Sequence, residues 1–353
     1  MPLNRLYETI INARNSLYER GVFKSYSLGV LTVSIGNITV GGTGKTPLVA
    51  YVAELLAEAG EKVCILSRGY GRENPRKRVL VSDGEKITAD VKNAGDEPFE
   101  LARKLSGRAV VIADANRAAA GFWAREKFGI TAFVLDDAFQ HRRVRRDLDV
   151  VCVDATNPFG NGKTLPSGIL RESLENLKRA GAVVITRANL AKDITFLKSQ
   201  ISKYNPDCPI FVSENRVFRL IDLEEFHAAK AQNSPAETNN EHRTTDKVLA
   251  FCALGNPDNF FEQLRAERFN VVAAHTFSDH HFYNQPDIKK LVEKAGQTGA
   301  EVLLTTAKDA VKLKNLTIDL PCLVVESELV FDDAEVFRKL IVANIKIKSE
   351  SRK

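Results

Sequence analysis

The sequence predicts an α/β protein: a doubly wound, mostly parallel sheet followed by a second, smaller α/β domain. Three observations carry this expectation. Short apolar, β-branched runs alternate with helix-spaced segments over roughly the first half of the chain. A polar stretch at residues 228–247 interrupts the alternation, which then resumes. The length, 353 residues, exceeds what one hydrophobic core usually serves. The expected division is residues 1–24 as an amphipathic helix, 25–227 as the larger domain, 228–247 as a linker and 248–353 as the smaller domain.

Bulk properties narrow the class. A net charge of +5 allows anionic partners without demanding nucleic acid, and no nucleic-acid-binding motif is present. The five cysteines are widely spaced, with no CxxC pair, so neither a zinc site nor a disulfide framework is expected, and a reducing compartment fits. No apolar run approaches the ~20 residues that cross a bilayer. The first residues do not read as a secretory signal.

Leu3, Leu6, Tyr7, Ile10, Leu17 and Tyr18 recur at helical spacing, with Arg5, Arg14, Arg20 and Lys24 between them. Two readings stay open for this segment: an interfacial helix on an anionic membrane, or a helix packed on its own domain. Residues 30–35 then form a buried strand, residues 36–47 read G-N-I-T-V-G-G-T-G-K-T-P, and residues 48–59 carry helix spacing. Strand, glycine-rich turn, Lys-Thr and helix is the order of a phosphate-cradling P-loop, so the larger domain is expected to be P-loop NTPase-like. The strict pattern places glycine where Thr39 stands; here the glycines crowd toward the lysine. The expected nucleotide-binding set is Thr39, Val40, Gly41, Gly42, Thr43, Gly44, Lys45 and Thr46. Lys45 would reach the β/γ-phosphates and the Thr46 hydroxyl would bind Mg²⁺.

A second strand at residues 62–67 ends in S-R-G-Y-G-R, either a ligand loop at the sheet's carboxyl edge or a plain turn. Residues 73–92 are polar and suggest a surface hairpin. In A-G-D-E-P (94–98), Asp96 or Glu97 either caps the next helix or supplies a catalytic carboxylate. A strand at 109–113 leads to a helix near 116–128, whose first turn holds Arg117 against the helix dipole, a hint of an anionic ligand. The strand at 131–135 terminates in Asp136 and Asp137, the Walker B arrangement for holding Mg²⁺. Gln140, His141 and a run of arginines follow at once, and beside a phosphate site they could neutralise a phosphorylated substrate. Strands at 149–153 and 182–186 and a helix at 190–204 complete the larger domain. The smaller domain is expected to hold strands at 248–253, 271–275, 301–305 and 322–325 and helices at 257–266, 287–295 and 334–345. Its Asp279, His280 and His281 suit acid–base work better than a metal site, since adjacent side chains diverge.

The ordered set of motifs resembles the tetraacyldisaccharide 4′-kinases, the lipid A 4′-kinases of Gram-negative bacteria. It comprises residues 36–47, 67–72 and 94–98, D-D-A-F-Q-H-R-R (136–143), R-D-L-D (146–149), F-G-N-G (159–162) and L-P-S-G-I-L-R-E (165–172). It continues with G-N-P-D-N-F-F (255–261), D-H (279–280) and A-K-D-A-V-K (307–312). Ala138, Ser167 and Asn116 depart from the family's usual residues without removing obvious chemistry. The resemblance implies transfer of the ATP γ-phosphate, with Mg²⁺, to the 4′-hydroxyl of an acylated glucosamine disaccharide 1-phosphate. It implies a peripheral protein on the cytoplasmic face of the inner membrane, meeting lipid through its N-terminal helix. It also implies Asp96 as catalytic base, aided by His280. Arg68, Arg117, Gln140, His141 and Arg171 are the candidates for contacting the acceptor. The competing expectation is a P-loop switch ATPase, which often carries a second lysine where Val40 stands.

Overall fold

A computed structural model describes residues 3–191, 193–228 and 246–350. Residues 229–245 of the polar stretch at 228–247, expected as a linker, therefore lie outside the described residues. Twelve strands join edge to edge in the order β10-β9-β11-β12-β8-β7-β6-β1-β5-β2-β4-β3. In chain order they are β1 (Leu31–Asn37), β2 (Val63–Ser67), β3 (Val79–Asp83), β4 (Ala109–Ala113), β5 (Ala132–Asp136) and β6 (Leu148–Asp154), then β7 (Ala182–Thr186), β8 (Ile210–Asp222), β9 (Lys247–Cys252), β10 (Asn270–Thr276), β11 (Val302–Thr306) and β12 (Cys322–Phe331). The helices are α1 (Leu3–Glu19), α2 (Lys45–Glu58), α3 (Val91–Ala94), α4 (Asp96–Lys104), α5 (Arg117–Phe128) and α6 (Ile194–Ser202), then α7 (Leu223–Ala228), α8 (Pro257–Ala266), α9 (Gln285–Thr298), α10 (Ala307–Ala310) and α11 (Ala334–Glu350).

β1 lies at the centre of the first half, pairing in parallel with β5 on one side and β6 on the other. All seven of its residues are buried, as a strand covered on both faces must be. On one face Leu31, Val33 and Ile35 pack with Leu48, Val49, Val52 and Leu56 of α2. The opposite face is covered by α5 and by the segment before β1, with Phe133, Leu135 and Leu28 in one cluster. Strand ends carrying the phosphate loop and the acid pair thereby come to the same carboxyl edge, where open α/β sheets bind ligands.

The second half extends the same sheet. β8 pairs in parallel with β7 and antiparallel with β12, so one 13-residue strand links the two halves. No strand was expected over β8, because Glu214, Arg216 and Arg219 interrupt its apolar pattern. The polar segment at 73–92 supplies an antiparallel edge strand, β3, and the short α3. The terminal helix α11 returns to the first half, where Phe337 and Ile341 are buried in the cluster of α2.

Helix α1 is packed and exposed at once. Its Asn15 is buried and donates to Glu172 and Asn176, Tyr7 donates to the Arg171 carbonyl, and Arg14 donates to the Gln140 carbonyl. Leu3, Leu6 and Ile10 meanwhile remain 68, 49 and 57% exposed.

Candidate active site

The phosphate loop follows β1 and ends at Gly44, which takes a left-handed φ of 76° at the N-cap of α2 and makes no side-chain cap. Glycine adopts that conformation at little cost, leaving the first N–H groups of α2 directed into the loop. Neighbours hold the loop open. Thr186 donates to the Thr43 carbonyl at 2.9 Å, Arg187 to the Gly42 carbonyl at 2.8 Å, and Asn37 to the Thr43 hydroxyl at 2.9 Å. Lys45 points back to Asp137, 3.5 Å away.

The acid pair divides its labour. Asp136 ends β5 fully buried, accepting from the Ser67 hydroxyl at 2.8 Å. Burial and then the neighbouring Asp137 charge push its carboxyl upward. Asp137 turns out of the strand at φ 46° and meets Arg171 at 2.9 Å. Burial opposes its charge, but Lys45 and Arg171 outweigh that and hold it at about 2.

These groups line a cavity of about 1170 Å³ that also takes in Val40–Thr46, Arg68, Tyr70, Glu97, Gln140, Arg187, Asn259, Asp279, His280 and Lys308. Its size exceeds that of an ordinary small-ligand pocket. His280 comes from the second half of the sheet and sits at φ 61°. Its Nδ1 lies 2.8 and 3.0 Å from the two carboxylate oxygens of Asp96, the first residue of α4. Gly95, at φ 88°, lets the chain pass close to the loop at 67–72, where a Cβ would come within 2.9 Å of the Tyr70 carbonyl. An anionic carboxylate requires Nδ1 to donate, which leaves the Nε2 lone pair free. The bond to Asp96 raises the imidazole above its ordinary value, against burial and the Lys308 charge. Burial opposes ionisation of Asp96, yet the His280 bond and the Lys308 charge bring it to about 2.

Some expected site residues lie elsewhere. Thr39 is buried, bridges to Leu170 and does not reach the cavity. Arg117 is 3% exposed and donates to the Asp136 carbonyl at 2.6 Å, so it braces the acid strand instead of meeting a ligand. His141 also lies off the cavity wall; burial and the charges of Arg117 and Arg146 drive it down to about 3, which keeps it neutral. Gln140 lines the cavity while bonding Glu172 and the Asn37 carbonyl. Asp96, implied as the base, lies 5% exposed beneath the imidazole that does face the cavity.

Other groups gather at the site: Glu97, already read as a cap or a catalytic carboxylate, and several that were given no role. Glu97 faces the cavity with its carboxyl pushed up to about 6, by burial first and then by the Asp136 charge. Arg187 pairs with Asp154, which also accepts from Asn259 of α8 at 3.3 Å. Lys308 and Lys312 approach Asp96 from α10 and the turn after it. The motif A-K-D-A-V-K marked these lysines, but their target lies more than 200 residues earlier in the chain.

The donors fit Mg²⁺. Among the described residues no cluster of three or more His, Cys, Asp or Glu could hold a metal unaided. Mg²⁺ in phosphate sites usually takes one or two carboxylates, with phosphate and water completing its shell. The buried Asp136 carboxylate and the Thr46 hydroxyl, both on the wall of this cavity, make such a hard-oxygen set.

What separates this cavity from that of a nucleotide switch is the imidazole, oriented by a carboxylate, that shares it with the phosphate loop. Fold and site together define a P-loop phosphotransferase. The family described as Tetraacyldisaccharide-1-P 4′-kinase matches residues 1–346, and the chain belongs to it. A tetraacyldisaccharide 4′-kinase of Desulfotalea psychrophila is 37% identical over 322 residues, 91% of this chain and 89% of that one. That of Geobacter metallireducens is 38% identical over 307 residues, covering 87% and 86%. A crystal structure of LpxK from Aquifex aeolicus in complex with ATP superposes with a TM-score of 0.74 at 30% identity, covering 98% of both chains. The chain is accordingly a kinase of lipid A biosynthesis, not a switch ATPase.

Proposed function

We propose that the cavity binds ATP with Mg²⁺ and transfers its γ-phosphate to the 4′-hydroxyl of a tetraacylated glucosamine disaccharide 1-phosphate. The observation that carries this reading is the Asp96–His280 pair opening onto the phosphate-loop cavity. Phosphoryl transfer needs positioning, charge neutralisation and a group to take the hydroxyl proton. Lys45 and the N–H groups at the start of α2 serve the phosphates. Mg²⁺ would be held by Thr46 and Asp136, with Asp137 beside them, and supplies charge neutralisation on the phosphate oxygens.

For the proton, His280 is the better acceptor. A carboxylate near 2 is a weak base and its oxygens are engaged, whereas Nε2 is free. Asp96 then fixes the ring's tautomer and supports the imidazolium. Arg68, Gln140 and Arg171 line the cavity and suit an acceptor that already carries a phosphate. The exposed apolar residues of α1 suit a lipid surface, so the reading extends to peripheral association with the cytoplasmic face of the inner membrane.

The test is incubation with γ-labelled ATP, Mg²⁺ and the disaccharide 1-phosphate lipid in mixed micelles. Label should move to the 4′-position; hydrolysis of ATP with no labelled lipid would overturn the proposal.

A further inference from the structure

We infer that Lys308 and Lys312 are positioning residues for the proton acceptor: their charges hold the Asp96 carboxylate anionic and aimed at His280. The inference deepens the proposed reading and rests on it. Two ammonium groups converge on one carboxylate oxygen, with Lys308 Nζ 3.6 Å and Lys312 Nζ 3.7 Å from Asp96 Oδ2, the oxygen that lies 2.8 Å from His280 Nδ1. Neither lysine is a solvated surface charge, since their side chains are 12 and 0% exposed.

Their own placement is built. Lys312 is fixed by Asp309, 3.1 Å away, and Asp309 is itself fully buried. The Asp309 carboxylate accepts from the Ala253 N–H and the Thr306 hydroxyl, tying the arrangement to the end of β9 and the start of α10. A buried lysine held by an aspartate, with a second lysine one turn away, is costly unless its charge is used. Lys308 also reaches Glu97 at 3.8 Å and Asp279 at 3.6 Å, and Asp279 Oδ2 lies 3.6 Å from His280 Nε2.

The charged and titratable groups facing the pair are therefore Lys308 and Lys312 from α10 and its following turn, Glu97 and Glu100 from α4, Asp279 beside His280, and Tyr70 from the loop after β2. Glu100, which burial pushes up to about 7, is only partly ionised at neutral pH. The lysines thus supply the cations that keep Asp96 ionised once His280 is neutral and ready to accept. Lys308 also opposes protonation of the imidazole, which the Asp96 bond alone would favour.

The experiment compares Lys308→Met, which keeps length and loses charge, with Lys308→Arg, which keeps the charge. Two readouts are taken: the acid limb of kcat/KM against pH, and the His280 ring titration by NMR on the folded protein. Losing one close cation moves a neighbouring group by about 1 pH unit. In Lys308→Met both the acid limb and the ring titration should move upward by about that much, with the affinity for ATP kept. In Lys308→Arg both should stay at the parent position. A loss of kcat with neither readout moved, or a loss of ATP affinity alone, would overturn the positioning role. Lys312→Met, where it folds, should shift the ring the same way. The NMR readout needs no turnover: a shifted ring in a protein that never labels the lipid refutes the proposed function and leaves the electrostatic coupling standing.

Discussion

His280 occupies a left-handed backbone conformation, which costs a non-glycine residue ~1 kcal/mol or more unless its surroundings impose it. The return is an imidazole seated on Asp96 with its other nitrogen over the cavity. Replacing His280 or Asp96 by alanine should lower kcat by ~10²–10⁴-fold, the usual worth of general-base help, with ATP binding retained. Turnover near the parent level in either variant contradicts the assignment. The pH dependence has a definite sign. Asp96, near 2, stays ionised throughout the working range. His280 is raised above 6.5, and its protonated form, dominant below its own value, cannot accept a proton. Activity should therefore climb with pH through a midpoint above 6.5; a midpoint below it would point to another base. Lys45, Thr46 and the acid pair were legible because each belongs to a contiguous motif on one strand end. The Asp96–His280 pair, 184 residues apart, was legible only through the family resemblance. Arg117 was misread because a buried arginine bracing a carbonyl and a ligand-binding arginine look alike in one dimension.

Elements followed the apolar pattern where burial was symmetrical. β4 and β7, all apolar or nearly so and covered on both faces, were bounded correctly from sequence. β8 was missed because its two ends do different work: Phe211 packs in the first half's core, while Val217 belongs to a cluster of the second. Charged side chains between them fall on partly open positions and erase the alternation. Helix α1 left two readings open, and its contacts explain why. One side is anchored through Tyr7, Arg14 and Asn15, and the other presents Leu3, Leu6 and Ile10 to solvent. Replacing those three by serine removes exposed apolar surface and leaves the anchors untouched. Each side chain inserted in lipid is worth ~1.5 kcal/mol or more, so vesicle binding should fall at least tenfold. ATP binding should be unchanged. Undiminished co-sedimentation with anionic vesicles would remove α1 from membrane contact.

At the scale of the whole molecule, the two halves share one sheet, yet their meeting across the cavity is largely polar. His280 meets Asp96, Lys308 meets Asp96 and Glu97, Asn259 meets Asp154, and Gly255 lies against the phosphate loop near Gly42. The apolar continuity runs instead through β8, β12 and the returning α11. Charged and hydrogen-bonded contacts can part and reform at modest cost, because water replaces them, whereas a packed core resists. The proposed division of the chain into two units therefore places the flexing line along β8 and β12, and the arrangement described above, with His280 seated on Asp96, is its closed form. ATP would favour closure, since the phosphate loop and Arg187 belong to one half and Asn259 to the other. Small-angle scattering should show a smaller radius of gyration with a non-hydrolysable ATP analogue and Mg²⁺ than without. An Asp154→Ala variant, which loses the link to Asn259 and Arg187, should need more analogue to reach the same compaction. Superimposable profiles at saturating analogue would mean that the pair is preassembled, and that closure plays no part in selecting the acceptor.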